Sequence, residues 1–384
     1  MHRNGKSEND GVYSRCGKVM EDTNITTLLG VADGDQTKER RKKIRKRVFA
    51  IIFVLLNVSI IAATAYIDFT KRGKPTAPLG INMRFIIAAV GCYVVSISAE
   101  SCKYFIMIRE FTGISSFRMA FEVALLGKYY DNITPTGAGG QPFQVYYLKK
   151  KSIPTGTSAA LPITGFLTLQ ISFILLAIVV FAFGTPYLHN VEDYTTAFKI
   201  SAYVGILFYS FVPLMIITFA IYPKPVEAVV RFFVMALSRI RIIKDRESMR
   251  KRALATLGEY RDGIVAIYKK KHMFLKLIGF GLAYQISICS IPFFVLRAFG
   301  SDLSYFTVFS MTVLIYFAVT YIPTPGNSGV MEASFYALFA TLNQSYLFWA
   351  MIIWRFFSYY SFLMIGGGIF AFGAIETKLK AKRP

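Results

Sequence analysis

Residues 48–67, VFAIIFVLLNVSIIAATAYI, run for twenty positions without a charged side chain. At 1.5 Å per residue, a helix of that length covers about 30 Å, the thickness of a bilayer's hydrocarbon core. Further apolar stretches follow at about 82–108, 156–183, 198–222, 273–297 and 346–374. In lipid every backbone N–H and C=O must find a partner within the protein, and a helix provides this inside a single segment. The chain is therefore expected to be an all-α polytopic membrane protein with about six spanning helices, its membrane domain covering 48–375.

Charge supports that reading and orients it. Only 17% of the 384 residues are charged and 54% are hydrophobic, whereas soluble domains average about 25% and about 45–50%. A net charge of +22 would ordinarily suggest nucleic acid, but the basic residues sit beside apolar runs. They form TKERRKKIRKR at 37–47, LKKK at 148–151, much of 239–276 and KLKAKRP at the end. That distribution fits the positive-inside bias and an anionic membrane surface, and no nucleic-acid partner is expected. Both tails, 1–47 and 376–384, are placed in the cytoplasm of a cell whose plasma membrane holds the chain, and the first span acts as an anchor rather than a cleaved signal. Lys71, Arg72 and Lys74 in the loop 68–80 run locally against this orientation, outweighed by the more basic flanking segments. Leu254, Leu257, Ile264 and Ile267 recur near helical spacing, so 223–272 is expected to form amphipathic helices on the inner surface.

Two segments refuse to be simple spans. The arms at about 117–131 and 141–148 are too short to cross, and Arg118 at one end and Lys149, Lys150 and Lys151 at the other favour the same side. The break TPTGAGG lies between them. The stretch 303–344 carries no Lys or Arg and breaks at PTPGNSG, and parity requires it to begin and end outside. The prediction is two opposed re-entrant helical hairpins, each with a Thr-Pro-x-Gly-type break. Such a pair at matching places in two halves points to an inverted repeat with a site near the membrane midplane.

Non-helical backbone survives at that depth only beside protein or water, so the breaks are expected to line a polar cavity. Head-group binding is assigned to Asp131, Asn132, Thr134, Gly137, Gly139, Gly140 and Gln141 from the first hairpin. From the second come Thr324, Gly326, Asn327, Ser328, Gly329 and Glu332, with Arg355 from the last span. Backbone N–H groups of Gly139–Gln141 and Gly326–Gly329, ahead of helix N-termini, would attract an anion, with Pro142 expected at the first position of its helix. Against this, any single glycine there can simply permit a turn or close packing. Glu332 suits the helix dipole as a cap, and Arg355 is expected to meet Glu332 or a lipid phosphate. Glu100 with Lys103, and Lys128 near Asp131, are secondary candidates because ionisable groups inside spans are costly and tend to serve function.

Nothing suggests catalysis, a metal or a cofactor. Cys16, Cys92, Cys102 and Cys289 form no C-x-x-C pair, and His2, His189 and His272 are scattered. No H-E-x-x-H, G-x-S-x-G or phosphate-binding loop occurs, so no catalytic residue is assigned. A membrane transferase working from Asp131 and Glu332 and an ion-coupled solute carrier remain as alternative classes.

GKYYDNITPTGAGGQPFQVYYL at 127–148 and YIPTPGNSGVMEASFYALF at 321–339 resemble the two signature segments of the lysylphosphatidylglycerol synthase transmembrane family, the flippase-like membrane domain of multiple peptide resistance factors. The resemblance covers roughly 48–375, with Asn327 standing where the family usually carries a second glycine. It implies lipid handling: translocation of an anionic or aminoacylated phospholipid, such as lysyl-phosphatidylglycerol, or of a polyprenyl-linked precursor, with a link to antimicrobial peptide resistance. The family's soluble lysyltransferase domain is expected to be absent, because the chain ends about ten residues past its last span. A phosphatidylglycerol lysyltransferase activity is thus the alternative, with a separate soluble transferase or a second copy of the chain as further expected partners.

Overall fold

A computed structural model describes residues 80–134, 137, 139–184, 196–222, 246–319, 321–339 and 346–369, with scattered positions within 55–70 and 228–235. The chain divides into two compact units, Met1–Ala62 and Ala63–Pro384. In the first, residues 57–62 are helical. The rest of the expected first span, most of 223–245 and both tails lie outside the described residues.

The described residues of the second unit are helical, with no strand among them. Helix α1 (Met83–Thr112) is followed by α2 (Phe117–Ile133), α3 (Gly140–Lys150), α4 (Thr155–Val179) and α5 (Thr196–Ile221). Then come α6 (Arg246–Lys269), α7 (Lys271–Ala298), α8 (Tyr305–Val319), α9 (Val330–Phe339) and α10 (Leu347–Arg355). A π-helical turn, Phe356–Tyr360, carries α10 on, so that Leu347–Ile369 forms one apolar rod. Among the described residues, five helices are long and apolar enough to cross a bilayer: Met83–Thr112, Thr155–Phe183, Lys199–Thr218, Lys271–Ala298 and Leu347–Ile369. They match the last five expected spans. The chain is an all-α polytopic membrane protein.

Local signals set the helix ends. Asn82 caps α1, its side chain accepting the Arg84 N–H, and Gly113 closes it in the left-handed region at φ 70°. Ser116 caps α2 by accepting the Met119 N–H at 3.2 Å. Helix α3 begins at Gly140, which puts Pro142 at the third helical position rather than the first; its missing N–H is still among those a helix leaves unpaired.

Helices α1 and α7 run antiparallel and are tied at both ends. The Asn82 N–H bonds the Ala298 carbonyl at 3.0 Å, and Lys270, just before α7, meets Glu110 at 2.5 Å. Lipid tails are as apolar as a protein core, so burial alone does not draw membrane helices together; small residues and polar links do. Both are present here. Gly205 lets α5 lie directly on the Phe317 carbonyl of α8, and Gly281 lets α7 close on Ser172 of α4. The Ser172 hydroxyl donates to the Ile278 carbonyl at 2.9 Å. Helix α6 packs along α4, with Gly263 against Ala160.

The two broken segments fold back on themselves. Gly127 faces Gln144, Glu122 bonds Tyr147, and Asp131 meets Gly140, so α2 and α3 are an antiparallel pair. Met119 and Leu148 share a buried cluster with Met107 and Ile108, which places the open end of this hairpin beside the end of α1. The segment between α7 and α10 opens at the other end: Phe299, just after α7, stacks on Tyr346, just before α10, with ring centroids 5.7 Å apart. The order long helix, bent-back pair, long helix thus occurs twice, as α1 to α4 and as α7 to α10.

Candidate functional site

The tips of the two bent-back pairs meet. Asp131, Asn132 and Gly137 from the first, Gly326, Asn327 and Met331 from the second, Tyr316 of α8, and Arg355 and Ser358 of the last rod line a cavity of about 140 Å³. A polar space between the two breaks is what the sequence predicted, and six of its candidate residues stand on this wall. Tyr316, Met331 and Ser358 are additions. Ser358 could have been found, since it lies three residues beyond Arg355 and hence on the same side of a helix. Tyr316 had no comparable signal, because α8 is apolar on every side.

The backbone at both tips is bent as only small or special residues allow. Gly137 has φ 63° and Gly326 φ 57°, while Asn327 holds φ 53° with a side chain present. Asn tolerates this left-handed region better than other residues bearing a Cβ. A Cβ on Gly326 would overlap the Tyr359 ring, and one on Gly140 would overlap the Asp131 carboxylate and the Gly127 carbonyl.

One expectation is corrected. Five of the seven N–H groups expected to stand bare ahead of the returning helices have partners. Gly139 donates to Thr134 Oγ1 at 2.9 Å and Gly140 to Asp131 Oδ1 at 2.8 Å. Asn327 donates to the Thr324 carbonyl and Ser328 to that of Pro325, both at 3.1 Å. Gly329 donates to Glu332 Oε2 at 2.7 Å. The physical reason is the cost of unpaired N–H groups away from water, which the neighbouring side chains and carbonyls remove. Thr134, Gly139, Gly140, Thr324, Ser328, Gly329 and Glu332 therefore stand behind the wall and shape it. Gln141 does not line the cavity.

Charge enters through Arg355. Its side chain is 2% exposed, and Nε donates to Glu332 Oε1 at 2.6 Å. Nη2 donates to the Gly326 carbonyl and the Ser328 hydroxyl, each at 3.2 Å, and the guanidinium lies over the Tyr359 ring at 4.5 Å. Among the described residues Nη1 has no hydrogen-bond partner, on a side chain that borders the cavity. Glu332 is both cap and partner: one oxygen closes the N-terminus of α9 and the other holds Arg355.

The secondary candidates lie away from this wall. Glu100 and Lys103 pair at 2.8 Å, and Lys103 also donates to the Gly165 carbonyl at 3.1 Å. Lys128 does not reach Asp131; its ammonium rests 4.4 Å from the centre of the Tyr284 ring. A polar bridge that the sequence did not reveal joins three helices: Tyr104 of α1 donates to Gln144 of α3 at 3.1 Å, and Gln144 donates to the Val123 carbonyl of α2 at 3.0 Å.

A family model described as the lysylphosphatidylglycerol synthase TM region matches residues 40–366. The chain belongs to that family. Both breaks, the cavity they line and Arg355 fall inside the matched region. It is similar to a UPF0104 membrane protein of Archaeoglobus fulgidus, 22% identical over 285 residues, which is 68% of this chain and 78% of the relative. A UPF0104 membrane protein of Methanocaldococcus jannaschii is 28% identical over 116 residues, 30% of this chain and 34% of that relative.

Proposed function

We propose that the cavity receives the head group of an anionic or aminoacylated phospholipid, or of a lipid-linked precursor, and passes it between leaflets while the acyl chains stay in the bilayer. On this reading the two bent-back pairs are re-entrant from opposite faces, in a plasma membrane with both chain ends inside the cell. The observation that carries it is the convergence of both breaks on one polar space bordered by Arg355, whose Nη1 has no hydrogen-bond partner among the described residues. A guanidinium with unused donors in a low-dielectric space favours a phosphate ester, whose oxygens accept its planar fork. Glu332 balances the charge of Arg355.

The test is reconstitution into vesicles containing fluorescent phosphatidylglycerol or its lysyl ester, with dithionite bleaching only the label it can reach. Added protein is expected to make inner-leaflet label accessible. Protection equal to that of protein-free vesicles sinks the reading. The family description names a synthase, so phosphatidylglycerol lysyltransferase activity is tested in the same vesicles by supplying lysyl-tRNA and looking for labelled lysyl-lipid.

A further inference from the structure

Six side chains charged at neutral pH stand on the cavity wall or in the helices packed behind it, and four of them cancel. Glu100 and Lys103 neutralise each other at 2.8 Å, and Glu332 and Arg355 do so at 2.6 Å. Lys128 and Asp131 are left over. They stand one turn apart on α2, yet among the described residues they form no ion pair with each other or with any other side chain. The Lys128 ammonium sits on the Tyr284 ring, and the Asp131 carboxylate accepts the Gly140 N–H and borders the cavity.

The surroundings of Asp131 are simple in charge. From its own helix it feels Lys128, and from α1 the Glu100–Lys103 pair. Helix α3 offers the Gly140 N–H, and across the cavity stands the Glu332–Arg355 pair. Tyr104 of α1, Tyr209 of α5, Tyr284 of α7 and Tyr316 of α8 carry no charge near neutral pH. With Asp131 ionised, the whole set sums to zero.

A head group bearing one negative charge upsets that balance. It leaves a net charge at membrane depth, where an uncompensated charge is expensive. One proton on Asp131 restores neutrality. We propose that Asp131 takes up a proton with each anionic head group, so that translocation is electroneutral and follows a pH difference rather than the membrane potential. The proton passes from water at the face where the cavity is open to the carboxylate, forming one O–H bond. It returns to water at the opposite face when the head group leaves. The proposal rests on the lipid-translocation reading above.

The experiment uses phosphatidylcholine vesicles holding the full-length protein and a trace of fluorescent phosphatidylglycerol, with protein-free vesicles measured in parallel. Either a buffered pH difference or a potassium diffusion potential is imposed, and dithionite reads the leaflet distribution. Label is expected to collect in the leaflet facing the alkaline side, by about tenfold per pH unit at equilibrium, and to ignore the potential. Label that follows the potential and ignores pH overturns proton coupling while leaving lipid translocation intact. Label that moves no faster than in protein-free vesicles under either gradient removes both. Asp131→Asn keeps an oxygen for the Gly140 N–H, and its pH response is expected to vanish while Asp131→Glu restores it. A pH response that survives in Asp131→Asn overturns the role of Asp131.

Discussion

Arg355 and Glu332 pair at 2.6 Å between the last rod and the second break, with side chains 2% and 3% exposed. Removing one member of such a buried pair strands the other charge and costs about 3–5 kcal/mol, whereas replacing both with apolar residues of like size is often nearly neutral. Glu332→Gln and Arg355→Met are each expected to lower the unfolding temperature of the purified protein sharply. The double change Glu332→Leu with Arg355→Met is expected to recover most of that loss and still abolish translocation. Thermal unfolding and the dithionite assay, run on the same preparations, check both halves.

The glycines divide into two groups by what surrounds them. A Cβ at Gly140 or Gly326 meets the Asp131 carboxylate or the Tyr359 ring, while at Gly91 and Gly279 it meets nothing within 4 Å. Gly140→Ala and Gly326→Ala are expected to destabilise by about 1–3 kcal/mol through overpacking. Gly91→Ala and Gly279→Ala are expected to be neutral or mildly stabilising, because alanine favours a helix by about 1 kcal/mol over glycine. Four thermal unfolding curves decide the matter.

Asn327 holds a left-handed backbone at φ 53° on the cavity wall. Asn327→Gly is expected to leave stability unchanged or slightly raised. Asn327→Val puts a β-branched side chain in that region at a cost of about 1–2 kcal/mol. Unfolding curves of the two variants, compared with the parent, give the sign directly.

The arrangement of the bent-back pairs in the bilayer is read by single cysteines in a background where Cys16, Cys92, Cys102 and Cys289 are replaced. Ser115→Cys and Ser152→Cys flank the first pair, and Asp302→Cys stands at the open end of the second. An impermeant thiol reagent is expected to label positions 115 and 152 from the same side and position 302 from the other. Labelling of 115 and 152 from opposite sides means that the first segment passes straight through.

Much of this architecture was legible in the sequence because membrane spans are set by length and hydropathy alone. Expected bounds of 156–183 and 273–297 compare with helices over 155–183 and 271–298. The two breaks announced themselves through proline and glycine, and Arg355 meets Glu332, one of the two partners expected for it. Partnerships between distant segments were hidden. Lys128 and Asp131 are one turn apart in sequence, but the Tyr284 ring on α7 claims the ammonium and the start of α3 claims the carboxylate. The expected anion cradle of free N–H groups failed for the same reason, since the residues that fill it belong to neighbouring turns whose approach depends on how the tips fold.

Those filled tips bear on turnover. Asp131, Thr134 and Glu332 already accept the backbone N–H groups of Gly140, Gly139 and Gly329. If the chain moves lipid as proposed, tips of this kind need no passenger to keep their shape, and each cycle can end where the next begins.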